Sequence, residues 1–151
     1  MVVDDIYENR LIINHLLTHW GFKVVEAISG QHSIEQARQH QPDLVLMDLI
    51  MADMDGLAAT RYLRTLPELS RMIIIAVSAS AFEHHRQQSL EAGCNDFIAK
   101  PVHRENLLAC LQTHLQLTWI YDQLPQHPTT VTPLETDEVP LEGLSPEQVE
   151  T

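Results

Sequence analysis

Basic residues are in short supply: 9 Lys+Arg stand against 21 Asp+Glu in 151 residues, a formal charge of −12. That deficit counts against nucleic acid or an anionic membrane surface as the main partner, because both recruit proteins through clustered Lys and Arg. Glycine is scarce at five, which argues against a Gly-rich nucleotide cradle. The two cysteines, Cys94 and Cys110, have neither CxxC spacing nor a secretory context. A disulfide framework or a thiolate zinc site is therefore not expected, and a reducing, cytoplasmic setting fits best. No stretch approaches the roughly 18 apolar residues of a membrane span, and the N-terminus is acidic where a signal peptide would be basic. Direct membrane contact is not expected.

What is present is enough for one folded domain, since 44% of the residues are hydrophobic. The charge is unevenly spread. Residues 1–118 hold 14 acidic and all 9 basic residues, whereas residues 119–151 hold 7 acidic and no basic ones, together with five of the eight prolines. The second segment reads as an extended acidic Pro/Thr-rich linker with too little apolar surface to offset the entropy of ordering it. Near its end, Leu144-Ser145-Pro146-Glu147 carries the Ser-Pro-Glu signature of a helix start. Only three residues precede Asp4, short for a first strand, which fits a domain excised from a longer chain.

In the body, short apolar runs alternate with amphipathic stretches, the pattern of βα repeats and a parallel sheet. The runs are Val2-Val3, Phe22 to Val25, Leu44 to Met47, Met72 to Val77 and Asp96 to Ala99. Helices are expected around Ile13 to Trp20, stopping at Gly21, and over Ser33 to His40 and Gly56 to Leu66. Two more are expected over Phe82 to Ala92, stopping at Gly93, and over Glu105 to Leu117. Five strands and five helices follow.

In open parallel sheets the binding crevice lies beyond the carboxyl ends of the strands. Those ends carry Asp4-Asp5, Asp48, Ser78 and Lys100-Pro101. Three converging carboxylates repel one another unless a cation is bound, and oxygen donors without His or Cys suit Mg²⁺ better than zinc. Against the single charge of Lys100 they leave −2 locally, which one divalent ion neutralises. A hydroxyl and an ammonium beside a metal-bound carboxylate make a site for a phosphoryl group, whose oxygens need fixed positive charge and donors.

In order and spacing these residues resemble the receiver domain of two-component response regulators, over Met1 to about Leu117. Asp48 lies 43 positions after Asp5, Ser78 a further 30 and Lys100 a further 22. Asp48 to Gly56 is similar to the family's phosphoacceptor loop, with Ala52 where proline is usual, and Ser78 to Phe82 and Cys94 to Pro101 resemble the fourth and fifth strand ends. The resemblance implies a flavodoxin-like (CheY-like) α/β fold, a five-stranded parallel sheet of order 2-1-3-4-5 with helices on both faces. It implies that Asp48 accepts a phosphoryl group from a phosphohistidine. Mg²⁺ would be held by Asp5 and Asp48 directly, by Asp4 through water and by the backbone carbonyl of Ile50. Lys100 would pair with Asp48 and then with the phosphoryl group, Ser78 would donate its hydroxyl, and Phe97 would turn inward as Ser78 moves. A cis peptide at Lys100-Pro101 is implied too. Ile50 and Ser80 would tune the phosphoryl lifetime, with apolar Ile50 shielding it from water.

Asp4 to Arg10, Ser78 to Phe82 and the ending Leu117 to Asp122 are more similar to receivers embedded in bacterial hybrid sensor histidine kinases than to those attached to DNA-binding regulators. The implied partners are a histidine kinase or histidine phosphotransfer domain as donor and a downstream protein or adjoining domain as output, with homodimerisation as an option. Two other classes use the same residues. One is a phosphorylation-independent interaction module; the other is a Mg²⁺-dependent phosphohydrolase, which would carry a second acid two positions after its nucleophile, where Ile50 stands here. Taken singly, Asp4-Asp5 read as helix-capping residues, Asp55 as an N-cap, Asp53 as a solvated acid, Phe97 as core, and Cys94 and Cys110 as small core residues. His15 and His19 lie one helical turn apart without an apparent third ligand. They read as exposed, as do His32, His40, His84, His85, His114 and His127, while His103 borders the activation surface.

Overall fold

The computed structural model describes residues 1–80 and 83–120. Along the chain run β1 (Val2–Val3), α1 (Tyr7–His19), β2 (Glu26–Ala27), α2 (Gly30–His40), β3 (Leu44–Asp48) and α3 (Gly56–Thr65). A 3-10 turn (Pro67–Leu69) follows, then β4 (Ile73–Ser78), α4 (Glu83–Ala92), β5 (Asp96–Ala99) and α5 (Arg104–Leu115). All strand pairs are parallel and the order is β2-β1-β3-β4-β5, the flavodoxin-like sheet expected from the sequence.

The period-two geometry of strands divides the core into two layers. Val45 and Met47 of β3 and Ile74 and Ala76 of β4 point into a cluster with Ile34 and Ala37 of α2 and Ala59 and Leu63 of α3. Leu44, Leu46, Ile75 and Val77 point the other way, onto Ile13 and Leu17 of α1 and Leu107, Cys110 and Leu111 of α5. A strand buried on both faces has to be apolar throughout, which is why β3 and β4 read as unbroken hydrophobic runs. The helices carry local stops and starts. Ser29 caps α2 by accepting from His32 N–H, and Asp55 caps α3 by accepting from Ala58 N–H at 2.7 Å. Gly21 and Gly93 follow α1 and α4 with φ of +89° and +109°.

Several boundaries differ from the sequence reading. The second strand forms at Glu26–Ala27, not over Phe22 to Val25. Phe22 and Val24 instead pack on the α1/α5 side of the core and Val25 on the other, and only the end of the run joins the ladder, where the Val25 carbonyl accepts from Val2 N–H at 2.8 Å. Helix α2 begins three residues before Ser33 because Ser29 supplies the cap. Helix α5 stops at Leu115 because Gln116 adopts a left-handed conformation, φ 53°. Trp119 packs edge-on to Trp20 and Phe22, with ring centroids 6.0 and 6.2 Å away. The compact unit thus runs Met1–Trp119, one residue beyond the charge boundary. Most of the proposed linker, the helix-start signature at Ser145-Pro146, and Phe82 lie outside the described residues.

Ile75 is fully buried in the centre of the longer half of the sheet. Ile75→Ala is expected to cost about 3 kcal/mol, through lost transfer energy plus an unfilled cavity. Urea unfolding should show this as a lower midpoint at unchanged slope.

Candidate functional site

The parallel order places the ends of β1, β3, β4 and β5 along one edge of the sheet, and each delivers a polar group there. Asp4 follows β1, Asp48 ends β3, Ser78 ends β4 and Lys100 follows β5. Backbone bonds extend the ladder to the edge: Leu49 N–H donates to Val77 O at 3.0 Å and Lys100 N–H to Ser78 O at 2.8 Å. Nζ of Lys100 donates to Asp4 Oδ2 at 2.8 Å and to Asp48 Oδ2 at 3.1 Å. The other oxygen of Asp48 accepts from Ile50 N–H at 3.1 Å, and that of Asp4 from Ile6 N–H at 2.8 Å. Asp5 is exposed beside the two buried acids, and carboxylate oxygens of Asp4, Asp5 and Asp48 lie within 4.8 Å of one another. The Lys100-Pro101 peptide bond is cis.

Burial pushes the Asp48 carboxyl above its ordinary value; the Ile50 N–H and Lys100 oppose this without cancelling it, and Asp4 adds to it. For Lys100, burial works against the ammonium, but its hydrogen bonds to Asp4 and Asp48 outweigh that and raise it. One ammonium therefore serves two buried carboxylates, with a third acid, Asp5, at the rim. The donor set is oxygen only, partly open to solvent, and short of positive charge, which fits a hard divalent cation such as Mg²⁺.

Residues 1–112 match the response regulator receiver domain family. The chain belongs to that family. Over 115 residues it is 30% identical to the polar-differentiation response regulator DivK of Brucella ovis, covering 76% of this chain and 94% of DivK. It is similar to the receiver domain of sensor histidine kinase PA1611 from Pseudomonas aeruginosa, whose structure is described with a magnesium ion coordinated in the active site cleft. That match has 33% identity and a TM-score of 0.71, over 77% of this chain and 95% of that one. The receiver domain of a signal transduction histidine kinase from Syntrophus aciditrophicus is similar at 25% identity and a TM-score of 0.70, over 82% and 93%.

In this receiver the loop after Asp48 is closed tightly. Gly56 N–H donates to Leu49 O at 3.2 Å, and a Cβ built on Gly56 would lie 2.1 Å from the Asp48 carbonyl oxygen. Only glycine allows that approach without moving the Asp48 backbone. Ala52, Asp53 and Asp55 are exposed on the same loop, so replacing the usual proline leaves the helix start intact. Ser78 is fully buried and its Oγ accepts from Ser80 N–H at 3.2 Å. Phe97 is half-buried against the α2/α3 side of the core and also lines a groove between β5 and α5. Ile50 is 60% exposed beside the Asp48 carboxylate.

Sequence reasoning passed over the residues that support Asp4. Asn9 donates to both of its oxygens, at 3.3 and 3.1 Å, and the buried Arg10 donates to its carbonyl at 2.8 Å while pairing with Glu26. Asn14 also donates to Glu26. The signal available was an Asn-Arg pair in the first turns of the helix that follows Asp4. Several histidines expected to be solvated have partners: His32 Nδ1 accepts from Ile28 N–H, His114 pairs with Asp96, and the rings of His84 and His85 meet edge-on.

Because the folded pKa of Asp48 lies above its unfolded value, the folded protein holds this proton more tightly. Its favourable contribution is complete below about the ordinary carboxyl value of 3.8 and is lost as pH rises through the folded pKa. At neutral pH, with metal chelated, Asp48→Asn is therefore expected to raise Tm, with the gain shrinking towards pH 4. A lower Tm at pH 7 would contradict this, as thermal scans across pH would show.

Proposed function

We propose that this receiver accepts a phosphoryl group from a phosphohistidine onto Asp48 and passes the signal on through its α4-β5-α5 surface. The observation that carries the reading is Lys100 bridging the buried Asp48 and Asp4, next to Asp5 and one strand from the Ser78 hydroxyl. The two oxygens of Asp48 accept from Lys100 and from the Ile50 N–H, which holds the carboxylate in place and leaves lone pairs for a metal ion and for an incoming phosphorus. In transfer, an Asp48 oxygen bonds to phosphorus as the phosphorus–nitrogen bond to the donor imidazole breaks, giving an aspartyl phosphate. Lys100 then turns from the carboxylate to a phosphoryl oxygen, and Ser78 exchanges its contact with Ser80 N–H for the phosphoryl group. Phe97, on the strand that carries Lys100, follows Ser78 inward and alters the surface around α4, β5 and α5.

Asp4, Asp5, Asp48 and the Ile50 carbonyl would hold Mg²⁺, which supplies charge neutralisation for the incoming phosphoryl oxygens. The donor would be a histidine kinase or a histidine phosphotransfer domain. The output would be an adjoining domain or a downstream protein, with a homodimer as one form it can take. Among the described residues no helix is long and apolar enough to cross a membrane. The reading places the domain in the cytoplasm, as the receiver of a hybrid sensor kinase, with the acidic segment after the body as a linker. As an isolated domain it catalyses only its own phosphorylation and dephosphorylation.

Incubation with Mg²⁺ and a small phosphodonor, followed by intact-mass measurement, should add one phosphate to the wild type and none to Asp48→Asn or to the metal-free protein. An unlabelled wild type under conditions that label other receivers would overturn the reading. The exposed Ile50 side chain stands where water must approach the phosphoryl group. Ile50→Asn should accelerate loss of phosphate several-fold by the same mass assay, and an unchanged rate would remove Ile50 from this role.

A further inference from the structure

At the opposite edge of the sheet from Lys100, the first residue of β5 meets the last turns of α5. His114 Nε2 lies 2.9 Å from Asp96 Oδ2, and Cys110 Sγ lies 3.9 Å from the same oxygen. One donor atom from each of the three falls within 4.8 Å of the others. Cys110 and His114 are four residues apart on one helix, so their side chains leave the same face one turn apart. Bonds of ~2.0–2.3 Å to a tetrahedral zinc ion place its donors about 3.3–3.7 Å apart, so small side-chain adjustments bring all three into range.

We propose that Asp96, Cys110 and His114 form a zinc-binding site. A thiolate, an imidazole and a carboxylate are the mixed donors of borderline-soft Zn²⁺ and not those of Mg²⁺. Asp96 and Cys110 also line the groove between β5 and α5, together with Phe97, Asn106 and Thr113, which leaves a route for the ion and for a fourth ligand. Arg86 of α4 approaches the other Asp96 oxygen, but at 3.9 Å and half exposed, so it can turn away when a cation arrives. Binding replaces the Cys110 S–H bond with a sulfur–zinc bond and releases the proton to solvent. Without metal that thiol is inert: burial and then the neighbouring Asp96 push its pKa up to about 12. The absence of CxxC spacing, which argued against a thiolate metal site, is irrelevant once a strand supplies one ligand and a helix two. The ion would pin β5 to α5, part of the surface assigned above to output.

Co²⁺ is the direct probe, because a cobalt–thiolate bond gives an ultraviolet charge-transfer band and tetrahedral cobalt gives strong visible absorption. Titration of the full chain should produce both at one equivalent, and Zn²⁺ should abolish them by displacement. The charge-transfer band should vanish in Cys110→Ser and persist in Cys94→Ser. Affinity should fall at least tenfold in His114→Gln and in Asp96→Asn, with folding of each variant checked by circular dichroism. Asp48→Asn should bind as the wild type does, which separates this site from the phosphoacceptor reading. Absence of the band in wild type, its survival in Cys110→Ser, or unchanged affinity in folded His114→Gln and Asp96→Asn would overturn the proposal.

Discussion

The ion triangle of Lys100, Asp4 and Asp48 is the constraint on which the site depends. Two carboxylates buried side by side raise each other's energy, and each also loses hydration. Lys100 reaches both because β5, β3 and β1 end along the same edge of the sheet. One positive charge cannot balance three acids, so the edge keeps an electrostatic deficit that further cations, or protonation of Asp48, relieve. The fold supports a local arrangement that is unfavourable by itself, a recurrent property of reactive sites.

The remainder of the structure anchors the ends of β3, β4 and β5. β3 and β4 share five register pairs and are buried on both faces, so Asp48 and the Ser78 hydroxyl hang from the best-packed part of the core. Gly56 returns the chain onto the Asp48 carbonyl, which fixes the loop from below. On the far side, Arg64 of α3 donates to the carbonyls of Gly93, Ser70 and Met72 and to Asn95 Oδ1, tying α3 to the segment that leads into β5. A guanidinium with several donors in a fixed plane is suited to such a junction.

The fold and the gathering of Asp4, Asp48 and Lys100 at the strand ends were legible in the sequence because both rest on simple regularities. Unbroken apolar runs mark doubly buried strands, and chemistry-bearing residues just past those runs mark the crevice. Asp48, Ser78 and Lys100 announce themselves by position. The run Phe22 to Val25 misled because burial of an edge segment and pairing of that segment leave the same apolar trace. Asn9, Arg10 and Glu26 stayed hidden because helix residues that turn back onto a strand end carry no periodic mark. The grouping of Asp96 with Cys110 and His114 was invisible for a related reason: strand and helix meet only through tertiary packing, and no spacing along the chain encodes it.

The shortness of β1 and β2 has a dynamic corollary. Each contributes only two residues to its ladder, against five for the pairing of β3 with β4. With fewer ladder bonds to break, that side opens at a lower local free-energy cost than β3 and β4 do. Asp4 and Asp5 are carried by the loosely zipped flank and Asp48 by the tight one. The crevice is thus joined from one firmly and one lightly paired jaw, and a first ligand that bridges them gives up part of its binding free energy in ordering the lighter side, so that a second ligand binds the already ordered crevice at less cost.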